Sequence, residues 1–168
     1  DGLTDAADGI SMGLSTERHN PALGLTRAEQ DRVAVLSHQR AAAAAEQDVF
    51  EAEIVPVEVP QRKGDPLRVV ADEGIRPDTT VDTLATLRPA FSKDGDITAG
   101  NASPISDGAA AVVVTTRSRA DAEGWTVLAA IGAAGQVAGP DNSLHSQPSR
   151  AIAQALERQR VAASDLDL

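Results

Sequence analysis

Two short runs of small residues lie past the middle of the 168-residue chain. Residues 98–103 are Thr-Ala-Gly-Asn-Ala-Ser, residues 106–111 are Ser-Asp-Gly-Ala-Ala-Ala, and Val112 to Val114 follow directly. Glycine allows backbone dihedrals that other residues avoid, and alanine and serine leave space for a ligand or a facing strand. These runs therefore predict a backbone segment that another group approaches closely.

Composition limits the chemistry of the chain. It has no cysteine, which excludes disulfides, thiolate metal sites and a cysteine nucleophile among these residues. The net charge of -10 disfavours nucleic acid and anionic membranes as partners. No apolar stretch approaches the ~20 residues of a membrane span, so we expect a cytoplasmic protein. One basic patch is possible, at Arg62, Lys63, Arg68 and Arg76.

The first part of the chain predicts an α+β region. Residues 1–25 show no sustained period and indicate loop or short helix. Thr26 and Glu29 have the spacing of a capping box, which predicts a helix over 27–45.

A hairpin and a short helix are expected next. Strands are predicted over 53–59 and 67–70, and Asp78-Thr79-Thr80 predicts the cap of a helix that Pro89 ends. The side chains of this helix expected to face inward are Val81, Leu84 and Leu87.

The remaining residues predict alternating strands and helices. Residues 109–115 indicate a strand buried on both faces, and a helix from Ser118 should stop at Gly124. A second strand over 126–131, a loop and a final helix over 149–160 complete an order typical of an α/β layered sheet.

The ends of the chain suggest a piece of a longer polypeptide. Asp1 is not a methionine, and residues 161–168 resemble the end of a helix running into the start of a strand. We expect an internal fragment; the alternative is a small independent domain with frayed ends.

No ordinary catalytic constellation can be assembled from these residues. The histidines are far apart and lie in no metal-ligand spacing, and the serines lack a Gly-x-Ser-x-Gly context. No glycine-rich stretch fits a dinucleotide or Walker pattern. The residues considered are His19, His38, His145, Ser11, Ser37 and Ser103.

One cation does suggest binding. Arg76 lies in a turn beside Gly74 and Pro77, where its side chain can be aimed at a phosphate or an adenine face. The alternative is a surface salt bridge to Asp72 or Glu73.

Together these segments resemble one family, the thiolases. Arg88-Pro89-Ala90-Phe91, residues 98–103 and residues 106–111 are similar to the thiolase pattern LRPAF, DGTVTAGNAS and NDGAAAVV. Further similar segments are Glu29-Gln30-Asp31, Ser37-His38-Gln39, Glu53-Ile54-Val55-Pro56, Arg62-Lys63-Gly64-Asp65 and Asp72-Glu73.

The resemblance implies an α/β fold, in which an α+β loop domain precedes part of a layered αβαβα core. Residues 1–97 would form the loop domain that covers the substrate. Residues 98–124 would supply the last strand and helix of the N-terminal half, and residues 125–168 an incomplete start of the C-terminal half.

The resemblance also implies the chemistry. In thiolases a cysteine takes an acyl group from coenzyme A, a histidine activates that cysteine, a second cysteine is the base, and an asparagine helps form the oxyanion site. All four would lie outside these residues, so the chain alone should be inactive. No metal and no cofactor are implied beyond coenzyme A thioesters as substrates. The implied partners are acyl-CoA and coenzyme A, in a homodimer or homotetramer of the full-length protein.

The same resemblance implies a coenzyme A site. Arg76 would contact the ligand near its nucleotide end, Thr83 would lie beside it, and Ser103 would hydrogen-bond the pantetheine arm. The residues that would line the arm or the acyl end are Leu3, Met12, Ala90, Phe91, Ala99 and Ile105.

Departures from the pattern leave the acyl preference open. Ser11-Met12-Gly13 replaces the His-Met-Gly of many acetoacetyl-type thiolases, and without tyrosine the potassium site of some relatives is not expected. Residues 137–144 resemble an actinobacterial subgroup of acetyl-CoA acetyltransferases. An acetyl-CoA C-acetyltransferase is therefore the main interpretation. The alternatives are a degradative 3-ketoacyl-CoA thiolase and a non-catalytic coenzyme A binding or scaffold protein.

Overall fold

The computed structural model of the chain describes residues 2–141 and 143–167. Its contacts define two compact units: a central unit, Glu17–Pro104, and a terminal unit made of Asp1–Thr16 and Ile105–Leu168. The domain limits expected at residues 97 and 124 stay predictions.

Two helices come first. α1, Met12–Leu23, is longer than the short helix expected within residues 1–25 and contains Pro21. α2, Arg27–Glu46, confirms the predicted helix. At its start the Thr26 hydroxyl accepts the Glu29 N–H at 3.3 Å, and the Glu29 carboxylate accepts the Thr26 N–H at 3.0 Å. The capping box expected from the sequence is therefore formed.

The predicted hairpin is present but short. β1, Val57–Val59, pairs antiparallel with β2, Leu67–Val69. The expected strand over 53–59 begins four residues late, because Pro56 has no N–H to donate to a ladder. Residues 53–56 are exposed.

α3, Val81–Ala85, follows and is capped by Thr80. Leu84 is buried, whereas Val81 and Leu87 are 45% and 37% exposed, so the expectation of inward side chains was right for Leu84 alone. A five-residue helix makes little more than one turn, and α2, which packs against it, covers one side chain.

The terminal unit contains two further helices. α4, Arg117–Glu123, ends at Gly124 with φ of 67°, which confirms the predicted glycine stop. α5, Gln147–Gln159, has Pro148 in its first turn, as expected, and follows a 3-10 turn at Leu144–Ser146. A second 3-10 turn, Ala163–Asp165, lies where the start of a strand was expected.

The two strands predicted for this unit were wrong. Residues 109–115 and 126–131 form no strand, and their apolar side chains are open to solvent, with Val112 84% and Leu128 95% exposed. A strand needs a neighbouring backbone to pair its N–H and C=O groups, and within residues 2–141 and 143–167 none lies beside them.

The core of the central unit is small and partly polar. Val35, Leu84 and Ile97 supply its buried apolar side chains, and Asp31 and Thr98 are buried with them at 2% and 0% exposure. Buried polar groups are costly unless they are paired, and both of these residues form hydrogen bonds inside the central unit.

Candidate coenzyme A binding surface

The segment that leads into the first small-residue run is held by a glutamate of α1. The carboxylate of Glu17 accepts the N–H of Asp96 at 3.0 Å and the N–H of Ile97 at 2.8 Å. An added Cβ at Gly95 would meet the same carboxylate and the hydroxyl of Ser92, so a side chain there would require both groups to move. Glu17 therefore fixes the backbone of residues 96–97 through its two hydrogen bonds.

Asn101 closes this segment into a tight turn. Its Oδ1 accepts the N–H of Thr98 at 2.7 Å, and its Nδ2 donates to the Asp96 carbonyl at 3.0 Å. The same Nδ2 donates to Oδ1 of Asp31 on α2 at 2.8 Å. One side chain thus shapes the turn and ties it to the helix.

Asp31 connects this turn to α3 through an arginine. Its Oδ2 accepts a 2.7 Å bond from Nε of Arg27, one helical turn earlier. Nη2 of Arg27 then donates to the carbonyls of Leu84 at 2.6 Å and Leu87 at 3.2 Å. Leu84 lies in α3 and Leu87 two residues beyond its end, and the Leu84 carbonyl also accepts the Leu87 N–H at 3.0 Å. Arg27 therefore adds a side-chain donor to a turn that the backbone already closes. We call Arg27, Asp31 and Asn101 the polar triad.

Gly100 lets the turn pack closely. A Cβ there would lie 2.5 Å from Cδ2 of Leu84 and 2.6 Å from Cδ1 of Leu87. The close approach predicted from the small-residue run is therefore made by leucines of the chain itself.

An open groove of about 470 Å³ lies beside this turn. One wall is the face of α2, and the other is the backbone that continues from Gly100 through Ser103. Its lining is Leu25, Glu29, Gln30, Val33, Ala34, Ser37, His38, Gly100, Asn101, Ala102, Ser103 and Pro104.

Arg76 lies on an exposed turn that contacts α2. Its N–H donates to Nδ1 of His38 at 3.2 Å, and its carbonyl accepts the hydroxyl of Thr79 at 2.8 Å. Within the described residues its guanidinium forms no salt bridge, so the alternative of an ion pair with Asp72 or Glu73 is not realised.

The hydroxyl of Thr83 forms two hydrogen bonds with the backbone of Thr80 at the start of α3. It accepts the N–H of Thr80 at 3.0 Å and donates to the Thr80 carbonyl at 2.8 Å. Thr83 remains exposed.

The predicted apolar lining is divided between the units. Ala90, Phe91 and Ala99 lie in the central unit. Ala90 and Phe91 are on a loop closed by a bridge between Pro89 and Thr98, and Ala99 directly follows that bridge. Leu3, Met12 and Ile105 lie in the terminal unit, where the Met12 N–H donates to the Leu3 carbonyl at 2.9 Å. Arg76, Thr83 and Ser103 join the first group, so six of the nine predicted site residues share one unit.

Sequence reasoning missed the polar triad and the contact of His38. The four-residue spacing of Arg27 and Asp31 is a signal that could have indicated their ion pair. Nothing in the sequence indicates that Asn101 would reach Asp31, or that His38 would accept the N–H of Arg76.

Two carboxyl groups are perturbed by local hydrogen bonds. The Thr26 hydroxyl, with the Thr26 N–H, lowers the pKa of Glu29 below its usual range. The N–H groups of Ala7 and Asp8 lower the pKa of Asp5 in the same way. The first is a helix-capping contact and the second is an Asx turn, and neither resembles a catalytic acid, whose pKa would be raised.

The described residues offer no group of three or more His, Cys, Asp or Glu that could hold a metal ion. None of the helices in the described ranges has both the length and the apolar character of a membrane span.

Comparison with known proteins relates this chain to one family. The sequence model of the family described as "Thiolase, N-terminal domain" matches residues 1–118. A "Probable acetyl-CoA acetyltransferase" of Mycolicibacterium smegmatis is 54% identical over all 168 residues, which cover 43% of that relative. A relative of the same name from Mycobacterium tuberculosis gives the same identity and coverage.

Solved structures agree. The acetyl-CoA acetyltransferase of Bacillus anthracis matches 99% of this chain with a TM-score of 0.89 and 38% identity, over 42% of its own length. Human mitochondrial 3-ketoacyl-CoA thiolase matches with a TM-score of 0.87 and 35% identity, again over 42% of its length. The predicted α/β fold class is confirmed, and the chain spans about two fifths of the length of these relatives.

Proposed function

The chain belongs to the thiolase family, and we propose that it forms the coenzyme A binding region of an acetyl-CoA C-acetyltransferase. The observation that carries this proposal is the 54% identity, over all 168 residues, to a relative named "Probable acetyl-CoA acetyltransferase". The reaction would be the Claisen condensation of two acetyl-CoA molecules, or its reverse, thiolysis, through an acyl-cysteine intermediate.

The chemical step needs groups that these residues lack. The chain has no cysteine, so neither the nucleophile nor the thiol base can come from it. The part proposed for it is to bind coenzyme A and hold the acyl group in place, which lowers the entropic barrier to reaction.

Arg76 is the proposed contact for the charged end of coenzyme A. Its guanidinium is exposed and makes no ion pair with the described residues, while its backbone is bound on both sides. An arginine fixed in this way, and in no ion pair with the described residues, suits a phosphate, which accepts two parallel N–H bonds.

Ser103 is the proposed contact for the pantetheine arm. It is exposed and lines the groove beside α2, and the turn before it is held by the polar triad. Thr83 is proposed to lie beside the ligand. The residues proposed to line the arm and acyl end are Leu3, Met12, Ala90, Phe91, Ala99 and Ile105.

A degradative 3-ketoacyl-CoA thiolase is the second candidate. The likeness to human mitochondrial 3-ketoacyl-CoA thiolase favours it, since the TM-score of 0.87 is almost that of the bacterial acetyltransferase. The two candidates share the acyl-cysteine mechanism and differ in the length of the acyl chain accepted.

The remaining parts of the proposal concern partners. We propose that the ligands are acyl-CoA and coenzyme A, with no further cofactor or metal. We also propose that the full-length protein is cytoplasmic and forms a homodimer or homotetramer.

The test is an assay of the whole protein as its gene encodes it. Coenzyme A-dependent cleavage of acetoacetyl-CoA, with weaker cleavage of longer 3-ketoacyl-CoA substrates, would support the acetyltransferase. Preference for longer chains would select the degradative thiolase. Coenzyme A binding by calorimetry without turnover would leave a non-catalytic binding protein, and the absence of binding would overturn the proposal.

A further inference from the structure

His38 links the two segments that are proposed to hold coenzyme A. Its ring Nδ1 accepts the N–H of Arg76 at 3.2 Å, although the two residues are 38 positions apart. The same side chain lines the groove, together with Ser103. A histidine of α2 therefore contacts the turn of Arg76 and borders the groove of Ser103.

In this bond the imidazole ring is the acceptor. A ring nitrogen that accepts a hydrogen bond offers its lone pair, and Nδ1 of His38 offers it to the N–H of Arg76. The ring thus presents an acceptor from α2 to the backbone of the Arg76 turn.

The bond also completes the fixation of the Arg76 backbone. His38 binds the N–H of Arg76, and the Thr79 hydroxyl and N–H bind its carbonyl at 2.8 and 3.2 Å. Both backbone groups of Arg76, its N–H and its carbonyl, are therefore hydrogen-bonded. These bonds fix the direction in which the Arg76 side chain leaves the turn. Without His38 only the bonds on the carbonyl side would remain.

We propose that His38 is a positioning residue, which holds the Arg76 turn against α2 so that the guanidinium meets the anionic end of coenzyme A. This inference rests on the proposed function. His38 does not itself touch the ligand in the proposal; it acts through the backbone of Arg76.

The experiment compares three single substitutions of the whole protein, and repeats one of them, His38→Ala, in an Arg76→Ala background. His38→Ala removes the acceptor, and His38→Asn restores it, because the Asn carbonyl oxygen lies close to the position of Nδ1. Gln39→Ala is the matched control, since Gln39 is the next residue on α2 and is exposed. The measurements are the KM for coenzyme A, kcat, calorimetric binding of coenzyme A, and hydrogen exchange at the amide of Arg76.

We expect His38→Ala to raise the KM and Kd for coenzyme A about 3- to 10-fold, the effect of one hydrogen bond, with kcat unchanged. Arg76 N–H exchange should accelerate in the same variant. His38→Asn should recover most of both effects, and Gln39→Ala should show neither. In an Arg76→Ala background, His38→Ala should cause no further loss, because its effect passes through Arg76.

Three results would overturn the inference. They are unchanged coenzyme A affinity in His38→Ala, failure of His38→Asn to recover affinity, and full additivity of the His38 and Arg76 substitutions. A wild-type protein that does not bind coenzyme A would instead overturn the proposed function, so the two failures are distinguishable.

Discussion

Asp31 and Asn101 lie 70 positions apart, and Nδ2 of Asn101 donates a 2.8 Å hydrogen bond to Oδ1 of Asp31. Asp31 is 2% exposed and also pairs with Arg27. This contact joins α2 to the turn before Ser103, and we expect the stability of the central unit and the proposed coenzyme A surface to depend on it.

Removal of Asp31 should therefore be strongly destabilising. Asp31→Ala leaves the Arg27 guanidinium without its carboxylate and the Asn101 amide without its acceptor in a buried position. We expect a loss of about 3 to 5 kcal/mol in the free energy of unfolding, measured by urea denaturation of the whole protein. Asp107→Ala, which removes an exposed carboxylate, is the control and should change it by less than about 0.5 kcal/mol. Equal effects of the two substitutions would show that the triad does not stabilise the unit.

Gly135 should not tolerate a side chain. A Cβ at this position would overlap the backbone carbonyl oxygen of Ala151 on α5, and backbone atoms cannot move aside as a flexible side chain can. Gly135→Ala should cost about 1 to 3 kcal/mol in thermal unfolding, as overpacking does. Gly108→Ala is the matched control, because no atom lies within 4 Å of the added Cβ. A Gly135→Ala protein as stable as the control would disprove this packing.

The capping box gives a prediction about pH. The Thr26 hydroxyl lowers the pKa of Glu29, so this carboxylate contributes stability above its ordinary pKa, and that contribution is lost as pH falls through the lowered value. Thr26→Val should raise the Glu29 pKa toward its usual range in an NMR titration. The stability difference between wild type and variant should also narrow in acid. Thr126→Val, at an exposed threonine, is the control, and an unmoved Glu29 pKa in Thr26→Val would contradict the assignment.

Arg76 tests the proposed ligand site directly. Arg76→Ala in the whole protein should weaken coenzyme A binding by about 1 to 3 kcal/mol, the range for a hydrogen bond to a charged group. The loss should shrink as salt is raised, because a guanidinium and a phosphate are screened at the surface. Calorimetry at two ionic strengths measures both effects. Arg117→Ala, on α4, is the control for loss of a positive charge, and equal affinities in the two variants would remove Arg76 from the site.

The apolar segments without strand partners predict the behaviour of the 168-residue chain on its own. Val112, Val113 and Leu128 are 84%, 84% and 95% exposed, and exposed apolar surface of this kind promotes association. We expect this chain to bind the dye ANS, to sediment as oligomers and to show no thiolysis. Val113→Thr combined with Leu128→Gln should reduce association, whereas Thr115→Ser should not. A monomer that leaves the dye unbound would contradict the prediction.

Much of the local structure could be predicted from the sequence, because the deciding contacts lie within a few residues. Thr26 and Glu29 are three positions apart, so the start of α2 depends on neighbours alone. The stop of α4 at Gly124 and the hairpin of β1 and β2 follow from the same short-range chemistry. The strands expected over 109–115 and 126–131 did not form. An apolar composition favours a strand, but a strand also needs a second backbone with which to pair.

The sequence by itself determined the family, the fold class and the absence of a cysteine nucleophile in these residues. Each of these depends only on which residues are present and in what order. Only the tertiary structure decided that Asn101 reaches Asp31, that Arg27 binds the end of α3, and that His38 accepts the N–H of Arg76. These bonds join residues 38 to 70 positions apart, and such distances in sequence are closed by the packing of α2, α3 and the turn at Gly100. The physical reason is that local propensity acts through neighbours in the chain, whereas a binding surface is formed by groups that packing brings together.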